Sequence, residues 1–502
     1  MIASDTTTAF SVDVAIIGAG FAGLAAAVRL QQAGKTSFIV FERATAVGGT
    51  WRDNTYPGCA CDVRSHLYSF SFSPNPGWSR VYSKQPEIQQ YLVKTVSKFG
   101  LASHIRYSTE IIRTEFSEET GRWILTDRAG QQTTARAVIG ATGPLNRPSI
   151  PKIKGLETFS GKAFHSSNWD HSCDLTGKRV AVIGTGASAI QIVPEIAPIA
   201  GQLTVFQRTP PYITPKPDRP IRAWEKRLFG VLPIAQKTQR ALIYWGNELV
   251  GTGFLGNKTI SKLGTEAALK HLDSQIADPE LRRKVTPDYK LGCKRVLVSN
   301  DYYPALNRPN VSLETERITE TTPTGIVTAD GKTHPADVLI FGTGFVAAEI
   351  IADLHIVGRD GRVLFDEWAK TGPEAYYGIT ASGYPNLFFL VGPNTGLGHN
   401  SIIHMIESQM NYVMDCLNLL DTAGPDAFLD VRSDVQQAHN ADLQAQLQKT
   451  VWASGCQSWY QDSRGKITTI WPALTVTYRR LTRRVNPADY TLTGIKKVAT
   501  VN

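Results

Sequence analysis

Two glycine-rich segments of this chain have the residue types and spacing that cradle a dinucleotide. In the first, residues 12–17, apolar except for Asp13, are typical of a buried parallel strand and lead into Gly18, Gly20 and Gly23. The first glycine permits a tight turn, the second lets backbone approach a pyrophosphate, and the third allows close packing of helix on strand. A second predicted strand, residues 37–41, ends at Glu42, whose carboxylate can accept both hydroxyls of an adenosine ribose.

The same pattern recurs later in the chain with the charge reversed. The strand predicted over residues 178–183 leads into Gly184 and Gly186, and the next strand, 203–207, is followed by Arg208. In both units the charged residue lies 24 positions after the first glycine, at 42 after 18 and at 208 after 184. A base at this position, with Thr209 beside it, suits a 2′-phosphate. The first unit therefore predicts a site for FAD or NAD, and the second predicts a site for NADPH.

The order of the two units and the loop after the first unit favour FAD in the first. An N-terminal FAD unit is usual in flavoproteins that carry two dinucleotide sites. Gly49, Thr50 and Trp51 follow Glu42 in a glycine-relaxed loop, where backbone can approach a flavin. Two such units in one chain suggest that electrons pass from NADPH to FAD.

The predicted fold class is α/β, with two Rossmann-like dinucleotide-binding domains, for FAD and NADPH, and a helical insertion. Two strands close on Thr-Gly, at 142–143 and 343–344, which indicates that the chain leaves the first domain and re-enters it there. We expect a discontinuous FAD-binding domain over residues 1–143 and 345–502 and an interdomain linker over 144–170. The NADPH-binding domain would cover 171–344, with the helical insertion at about 216–290 and a helix beginning at Asp278 and Pro279.

Length and composition place the chain among globular proteins. Its 502 residues are 42% hydrophobic and 19% charged, with a net charge of +9, which excludes intrinsic disorder. No run reaches about 18 apolar residues, so we expect no membrane span and no membrane partner. No nucleic-acid partner is expected either. A basic run near the C-terminus lacks any nucleic-acid motif and is interpreted as a solvated face, formed by Arg479, Arg480, Arg483 and Arg484.

The cysteines show no spacing typical of a zinc site or of a disulfide framework. They stand at positions 59, 61, 173, 293, 416 and 456. We predict no metal, a reducing compartment and a cytoplasmic protein, with Cys59 and Cys61 as small buried thiols. The sequence leaves the oligomeric state open and is compatible with a monomer.

A long motif in the predicted linker carries a family resemblance. Residues 159–170 fit the pattern FxGxxxHxxxW followed by Pro or Asp at every fixed position, through Phe159, Gly161, His165, Trp169 and Asp170. With this motif the chain resembles the type I Baeyer–Villiger monooxygenases, of the class B flavoprotein monooxygenase superfamily. Further matching segments lie at 48–51, 56–62, 206–210, 292–295, 302–303, 392–395 and 399–401, so the resemblance extends from residue 12 to about 490.

The resemblance implies a reaction and its cofactors. NADPH reduces FAD, dioxygen adds to the reduced flavin, and the C4a-peroxyflavin attacks a small-molecule ketone to give an ester or lactone. Arg295 matches the family's catalytic arginine, a cation that keeps its proton beside a peroxide anion and an oxyanion. Asp62 matches the acid that pairs with this arginine. His165 belongs to the linker, where its role is conformational rather than chemical.

The resemblance and the glycine motifs together assign the cofactor contacts. For FAD they are Gly18, Gly20, Phe21, Gly23, Glu42, Gly49, Thr50, Trp51, Asp62, Tyr68, Ile111, Asn400 and Ser401. For NADPH they are Ala60, Cys61, Asp62, Gly184, Thr185, Gly186, Ala187, Ser188, Ala189, Gln191, Arg208, Thr209, Lys294 and Arg295. Ser401 opens a predicted helix over residues 402–419, whose N-terminus could stabilise negative charge on a reduced flavin.

Three other functions stay open at this point. A flavin-containing N- or S-monooxygenase shares both glycine units, and Asn54 resembles those relatives, but the Arg295 segment and the end of the linker motif argue against it. An NADPH disulfide reductase needs a redox pair that Cys59 and Cys61 supply poorly. A non-catalytic redox sensor has no positive support.

The aromatic residues near the C-terminus have two interpretations. Similar segments of the family border the substrate and NADPH, whereas simple packing on the FAD domain explains them equally well. The residues concerned are Trp452, Trp459, Tyr460 and Trp471.

Overall fold

The computed structural model describes residues 10–346 and 354–494 of the chain. Residues 1–9, 347–353 and 495–502, which the predicted FAD domain includes, lie outside this part. The strands of the described residues are β1 (Phe10–Ile17), β2 (Phe38–Phe41), β3 (Ile105–Arg106), β4 (Ile111–Ser117), β5 (Arg122–Asp127), β6 (Gln132–Gly140), β7 (Lys162–His165), β8 (Arg179–Ile183), β9 (Gln202–Phe206), β10 (Ile213–Thr214), β11 (Leu297–Val298), β12 (Val311–Glu314), β13 (Ile318–Thr322), β14 (Gly325–Thr328), β15 (Thr333–Pro335), β16 (Val338–Phe341), β17 (His355–Val357), β18 (Leu387–Phe389), β19 (Ala427–Val431) and β20 (Tyr490–Gly494).

The α-helices alternate with these strands, as expected for an α/β protein. They are α1 (Phe21–Gln32), α2 (Thr50–Asp53), α3 (Gln85–Lys98), α4 (Ala189–Ile196), α5 (Ala223–Val231), α6 (Pro233–Phe254), α7 (Lys258–Gln275), α8 (Pro279–Val285), α9 (Tyr302–Leu306), α10 (Leu364–Thr371), α11 (Ile402–Ala423), α12 (Ser433–Leu447) and α13 (Thr475–Leu481). Among the described helices, none combines the length and the apolar composition that crossing a bilayer requires.

An eight-stranded sheet carries the first glycine motif. Its order is β17-β4-β5-β6-β1-β2-β3, and β18 also pairs with β6. β1 lies between β6 and β2, and both pairings are parallel, with Ile17 opposite Gly140 and Phe41. β17 and β18 come from the C-terminal part of the chain, so the chain returns to this sheet after building the second one. Helix α1 packs closely because four of its buried residues are alanine.

A five-stranded parallel sheet carries the second glycine motif. Its order is β12-β9-β8-β16-β7. β8 lies between β9 and β16, with Ile183 opposite Phe206 and Phe341. The edge strand β7 belongs to the linker motif and pairs with β16, so this motif is built into the second sheet. The α/β fold class is thereby confirmed.

Four helices, α5 to α8, form the insertion between β10 and β11. Helix α8 begins where the sequence predicts, because the Asp278 carboxylate accepts hydrogen bonds from the N–H groups of Glu280 at 3.0 Å and Leu281 at 3.3 Å. An aspartate cap followed by proline at the first helical position is a common helix start. The insertion packs against the segment between α2 and α3, through contacts described below.

Candidate active site

One large cavity lies at the carboxyl ends of the parallel strands of the two sheets. Its volume is about 1270 Å³. β1 and β2 end there at Ile17 and Phe41, and β8 and β9 end there at Ile183 and Phe206. Ligands of open α/β sheets bind outside the carboxyl ends of the strands. Both glycine motifs therefore face one space, in which two dinucleotides can meet.

The first glycine turn is closed to side chains and open to a ligand. Gly18 has a φ of +105°, and a Cβ there would lie 2.6 Å from the carbonyl oxygen of Ala141. At Gly23 a Cβ would lie 1.8 Å from the carbonyl oxygen of Gly18, so only glycine lets α1 touch the turn. At Gly20 the nearest atom would be 3.8 Å away. The protein itself leaves space at Gly20, which fits the approach of a pyrophosphate.

Glu42 is positioned by backbone amides and by one cation. Its side chain is buried, and its two oxygens accept hydrogen bonds from the N–H groups of Ala19 and Ala44, both at 2.9 Å. Arg52 Nη1 donates to Oε1 at 2.9 Å. These contacts hold the carboxylate in the cavity wall, where its remaining lone pairs can accept from ribose hydroxyls.

The second glycine turn has the same conformation as the first at its leading glycine. Gly184 has a φ of +107°, and a Cβ there would lie 2.5 Å from the carbonyl oxygen of Gly342. Gly186 has 3.9 Å of clearance, much as Gly20 does. Helix α4, however, begins only at Ala189, three residues after Gly186. The helix therefore does not press on the turn, and alanine is tolerated where the first unit needs Gly23.

Arg208 and Lys294 place two cations in the cavity wall of the second unit. Neither forms an ion pair with any carboxylate among residues 10–346 and 354–494. Burial and the positive charge of Arg208 both lower the pKa of Lys294. Thr185 Oγ1 donates to the carbonyl oxygen of Thr209 at 3.3 Å, which ties the glycine turn to this corner. Two unneutralised cations suit a doubly charged phosphate.

Arg295 and Asp62 form an ion pair in the wall of the same cavity. Arg295 Nε donates to Asp62 Oδ2 at 3.1 Å, and Nη2 donates to the same oxygen. Nη1 donates to the carbonyl oxygen of Leu397 at 3.4 Å. Asp62 raises the pKa of Arg295, and although burial opposes ionisation of Asp62, Arg295 outweighs burial and lowers the pKa of that carboxyl. Each side chain is 30% exposed, so the guanidinium is a permanent cation that borders the cavity.

Gln191 joins the second unit to the segment that carries Asp62. Its Oε1 accepts from the Tyr56 hydroxyl at 3.1 Å and from the Ala60 N–H at 3.3 Å, and its Nε2 donates to the Ala60 carbonyl at 3.0 Å. A Cβ on Gly58, whose φ is +78°, would lie 2.6 Å from the Gln191 carbonyl oxygen. This close approach fixes the position of Asp62 relative to both glycine units.

The predicted flavin loop is a compact aromatic corner. Trp51 Nε1 donates to the Tyr68 hydroxyl at 3.0 Å, and the two rings meet edge to face with centroids 5.6 Å apart. Burial raises the pKa of Tyr68, so the phenol stays neutral. Gly49, Thr50 and Ile111 complete this wall of the cavity.

Asn400 and Ser401 connect the cavity to the helical insertion. Asn400 Nδ2 donates to Oε1 of Glu248, on α6, at 2.6 Å. Ser401 caps α11, since its Oγ accepts from the Ile403 N–H at 3.3 Å. Burial disfavours the charged form of Glu248, but hydrogen bonds from His399, Thr475 and Asn400 outweigh it and lower the pKa of Glu248 to about 2.

The linker motif is structural. His165 is buried, with Nδ1 2.9 Å from Ser167 Oγ and Nε2 2.9 Å from the carbonyl oxygen of Gly344, and burial lowers its pKa. Trp169 packs edge to face on Phe164. The motif thus ties β7 to the segment through which the chain leaves the second sheet. None of its five fixed residues (Phe159, Gly161, His165, Trp169 and Asp170) lines the cavity.

Comparisons with known proteins agree with this geometry. The family model described as flavin-binding monooxygenase-like matches residues 11–218. A Baeyer–Villiger monooxygenase of Pseudomonas aeruginosa is 50% identical over 491 residues, which are 97% of this chain and 93% of that protein. One of Streptomyces coelicolor is 48% identical over 480 residues, covering 95% of this chain and 92% of the relative. The chain belongs to the Baeyer–Villiger monooxygenase family.

A solved structure with the same overall fold supports this assignment. OTEMO in complex with FAD and NADP matches with a TM-score of 0.86 at 29% identity, over 96% of this chain and 99% of that chain. The resemblance seen in the sequence is confirmed, and N- or S-oxidation as the main activity is not favoured. This Baeyer–Villiger monooxygenase is a flavin-dependent enzyme.

Three of the predicted cofactor contacts do not line the cavity. They are Gly23, Ala189 and Ser401, each of which lies within or caps a helix and faces protein atoms. Gly23 lies in the first turn of α1, Ala189 is the first residue of α4, and Ser401 caps α11. The structure brings the other predicted contacts together in the cavity wall, including Lys294 and Asn400.

The cysteines of this Baeyer–Villiger monooxygenase depart from the expectation in one respect. Cys59 and Cys61 are buried free thiols, and burial raises the pKa of Cys59 to about 11, which is unsuited to thiol redox chemistry. Cys293 and Cys456, however, form a disulfide, with Cα atoms 6.2 Å apart. They are 163 residues apart in sequence, so no local spacing could reveal the pair.

The C-terminal aromatic residues divide between the two interpretations. Trp452, Tyr460 and Trp471 belong to a buried core. Trp459 is 42% exposed and lines the cavity together with Gln457 and Ser458. The Tyr460 hydroxyl is buried without a hydrogen-bond partner among the described residues. The loop that carries Cys456 is therefore part of the active-site wall, which the sequence indicated only in part.

Proposed function

We propose that this enzyme uses NADPH and dioxygen to convert a small-molecule ketone into an ester or lactone. FAD binds the first glycine unit and NADPH the second, in the cavity that the units share. When bound, NADPH supplies a hydride and the reduced flavin supplies activated oxygen. One oxygen atom enters beside the carbonyl carbon, and the other leaves as water.

The residues of the two units divide the binding work. Gly18 and Gly20 let the backbone approach the FAD pyrophosphate, and Glu42 receives the adenosine ribose. Arg208 and Lys294 receive the 2′-phosphate that distinguishes NADPH from NADH. Both assignments rest on charge and clearance, since the acid stands in one unit and the unpaired cations stand in the other.

The observation that carries the proposal is the Arg295–Asp62 pair in the shared cavity. Negative charge develops on oxygen as a ketone carbonyl is attacked, and a fixed cation in a partly enclosed site stabilises it. Arg295 supplies that cation at every physiological pH, because Asp62 raises its pKa further. Arg295 is the proposed catalytic residue, and Asp62 is its positioning residue and counter-charge.

The domain division expected from the sequence stays part of the proposal. The FAD-binding domain would comprise residues 1–143 and 345–502, the linker 144–170, and the NADPH-binding domain 171–344. The return of β17 and β18 to the first sheet supports this division. The pairing of β7 with β16 supports a linker whose C-terminal part moves with the second sheet.

Product analysis tests the proposal directly. The yellow holoenzyme is incubated in air with NADPH and a panel of linear, cyclic and aryl ketones, one sulfide and one tertiary amine, and the products are identified by mass spectrometry. We expect esters or lactones one oxygen atom heavier than the ketones. Sulfoxide or N-oxide as the only products would contradict the proposal.

Substitution of the arginine tests its assigned role. Arg295→Ala should bind FAD and accept hydride from NADPH yet lose ester formation by about 10²–10³-fold, the usual cost of removing an oxyanion-stabilising group. Arg295→Lys serves as the matched variant, which keeps a cation but loses the two-point contact with Asp62. Full ester formation by Arg295→Ala would remove this residue from the mechanism.

A further inference from the structure

Helix α6 of the insertion turns apolar side chains outward. Ile234, Leu242, Trp245 and Leu249 are 57–66% exposed. Their spacing of eight, three and four positions places them on one side of the helix. From Ile234 to Leu249 this side extends about 22 Å along the helix axis. An isolated exposed leucine is ordinary, but a continuous row of four large apolar side chains marks an interaction site.

The side of α6 that faces the protein buries polar groups as well as the apolar Ile243 and Phe254. Gln236 Nε2 donates to the Asn75 carbonyl at 2.8 Å, and Arg240 Nη1 donates to the Ser69 carbonyl at 2.8 Å. Glu248 is 2% exposed and accepts from Thr475 Oγ1 at 2.7 Å. A helix whose outer side faces water carries polar side chains on that side. The burial pattern of α6 therefore indicates that its outer side meets an apolar environment.

Neighbouring helices extend this outer side. The term outer face is used here for a set of large apolar side chains that are at least 36% exposed. They lie on α5, α6, α7 and α13 and at the α5–α6 junction: Trp224, Leu228, Val231, Leu232, Ile234, Leu242, Trp245, Leu249, Val250, Leu263, Val476 and Leu481. α13 lies against α6, because Thr475 bonds to Glu248 and to the Tyr244 hydroxyl at 3.1 Å. Two exposed tryptophans belong to this face, a residue type enriched at membrane interfaces.

The exposed charges beside the outer face are predominantly positive. In α5, α6 and α13 the exposed charged residues are Arg227, Lys237, Arg479 and Arg480, and Arg483 and Arg484 follow directly after α13. The two acids of these helices are not available, since Glu225 pairs with Arg219 and Glu248 is buried. Helix α7, which contributes Leu263 to the face, carries the exposed cations Lys258, Lys262 and Lys270 and the exposed acids Glu266 and Asp273, and Glu266 lies 3.8 Å from Lys262. The apolar face is thus bordered by more cations than acids.

We propose that the outer face binds the surface of an anionic membrane, with α6 lying in the plane of the interface. Apolar side chains bordered by Lys and Arg are the signature of helices that lie in the headgroup region of anionic bilayers. A symmetric dimer through this face would set these cations against their own copies, which is unfavourable. Surface binding needs no spanning segment, so the absence of a long apolar run does not oppose it, although no membrane partner was expected from the sequence.

The outer face also adjoins the active site. A second cavity of about 250 Å³ is lined by Val250 of the outer face, by Phe254, and by Asp62 and Arg295. A membrane-bound orientation would therefore place this cavity near the lipid surface. The binding proposal stands without the catalytic one, because it depends on none of the groups that react.

Vesicle flotation tests the proposal. The FAD-loaded enzyme is mixed with vesicles of phosphatidylcholine alone or of phosphatidylcholine and phosphatidylglycerol in equal parts, at low and high salt. We expect binding to the anionic vesicles that weakens as salt rises. The triple variant Leu242→Gln, Trp245→Gln, Leu249→Gln should bind these vesicles with an affinity at least roughly tenfold lower, because it removes three apolar side chains that would be buried in the membrane. Lys237→Gln should bind about fivefold less, as expected for one charge near an anionic surface.

Matched controls separate this surface from others. Ile199→Gln changes an apolar side chain that is 47% exposed on the second domain, and Lys94→Gln changes an exposed lysine of α3, so neither should alter vesicle binding. All variants should keep their FAD content and their rate of NADPH oxidation. Failure to bind anionic vesicles, equal binding to neutral ones, or unchanged binding by the triple variant would each overturn the proposal. A dimer seen by light scattering that the triple variant dissociates, without vesicle binding, would assign the face to a second copy instead.

Discussion

The two dinucleotide units share an opening turn and differ in how they present their charged residue. Gly18 and Gly184 have φ values of +105° and +107°, and each turn lies against a carbonyl at the end of a neighbouring strand. Glu42 is 4% exposed and bonded to two backbone amides, whereas Arg208 is exposed and lacks a carboxylate partner among the described residues. One backbone design therefore supports a closed, ordered acid and an open cation.

The difference matches two modes of binding. A cofactor that stays through many turnovers gains from a polar group that is already ordered, because less entropy is lost on binding. A cosubstrate that enters and leaves in each turnover needs an accessible site. The first unit has the ordered polar group and the second has the accessible site, in agreement with FAD in the first and NADPH in the second.

The largest expected effects come from the leading glycines. Gly18→Ala and Gly184→Ala each force a Cβ to within 2.6 Å of a carbonyl oxygen at a positive φ. We expect Gly18→Ala to purify without FAD. Gly184→Ala should stay yellow but lose NADPH-dependent flavin reduction by about tenfold to a hundredfold, as expected for roughly 1–3 kcal/mol of backbone strain. Absorbance spectra and stopped-flow reduction measure both, and Gly230→Ala, with no atom within 4 Å, is the control. Identical losses in the two variants would break the comparison.

The charge reversal makes the next prediction. Arg208→Ala should raise the KM for NADPH by about 10–100-fold, because a charge-assisted bond to the 2′-phosphate is lost, and should leave NADH use nearly unchanged. Steady-state kinetics with both nucleotides measure this. Lys94→Ala removes an exposed lysine far from the cavity and should change neither constant. A parallel loss with NADH would show that Arg208 does not read the phosphate.

The disulfide links the segment between α8 and β11 to the C-terminal loop and predicts a smaller effect. Cys293→Ser should lower the free energy of unfolding by about 2–4 kcal/mol. Reductant should lower the melting temperature of the parent enzyme and leave that of the variant unchanged. Cys173→Ser, at a free and partly exposed thiol, is the control. Equal melting of parent and variant under oxidising conditions would mean that the bridge contributes nothing to stability.

Acid should destabilise the protein through three buried histidines. Burial lowers the pKa of His66, His404 and His439 to about 4, and the last two lie on α11 and α12. Between pH 6.5 and 4 the unfolded chain binds these protons and the native protein does not, so stability falls as pH falls through this window. Melting curves followed by FAD fluorescence should shift by several degrees. His404→Gln should reduce this slope, and an unchanged slope would contradict the assignment.

Much of the fold and of the site was predictable because it depends on short-range patterns. Apolar strands, glycine spacing and the charge 24 residues later describe single βαβ units, whose geometry is local. The helix start at Asp278 and the cap at Ser401 are predictable for the same reason. By contrast, Gly23, Ala189 and Ser401, which were predicted as cofactor contacts, do not line the cavity. Gly23 packs against Gly18, as the third glycine of the motif is expected to do.

Sequence alone determined the two dinucleotide units, their opposite charges and the family, because each is encoded in contiguous residues. The tertiary structure decided how distant groups meet. The pairing of Asp62 with Arg295, 233 positions apart, was implied only by the family resemblance, and the Cys293–Cys456 bridge, across 163 positions, was not expected at all. The exposure of the apolar side of α6 could not be predicted from the sequence either, because the sequence pattern of an amphipathic helix does not show which of its two sides is buried. Which side is buried depends on the partners that folding brings to it, here Asn75, Ser69 and Thr475.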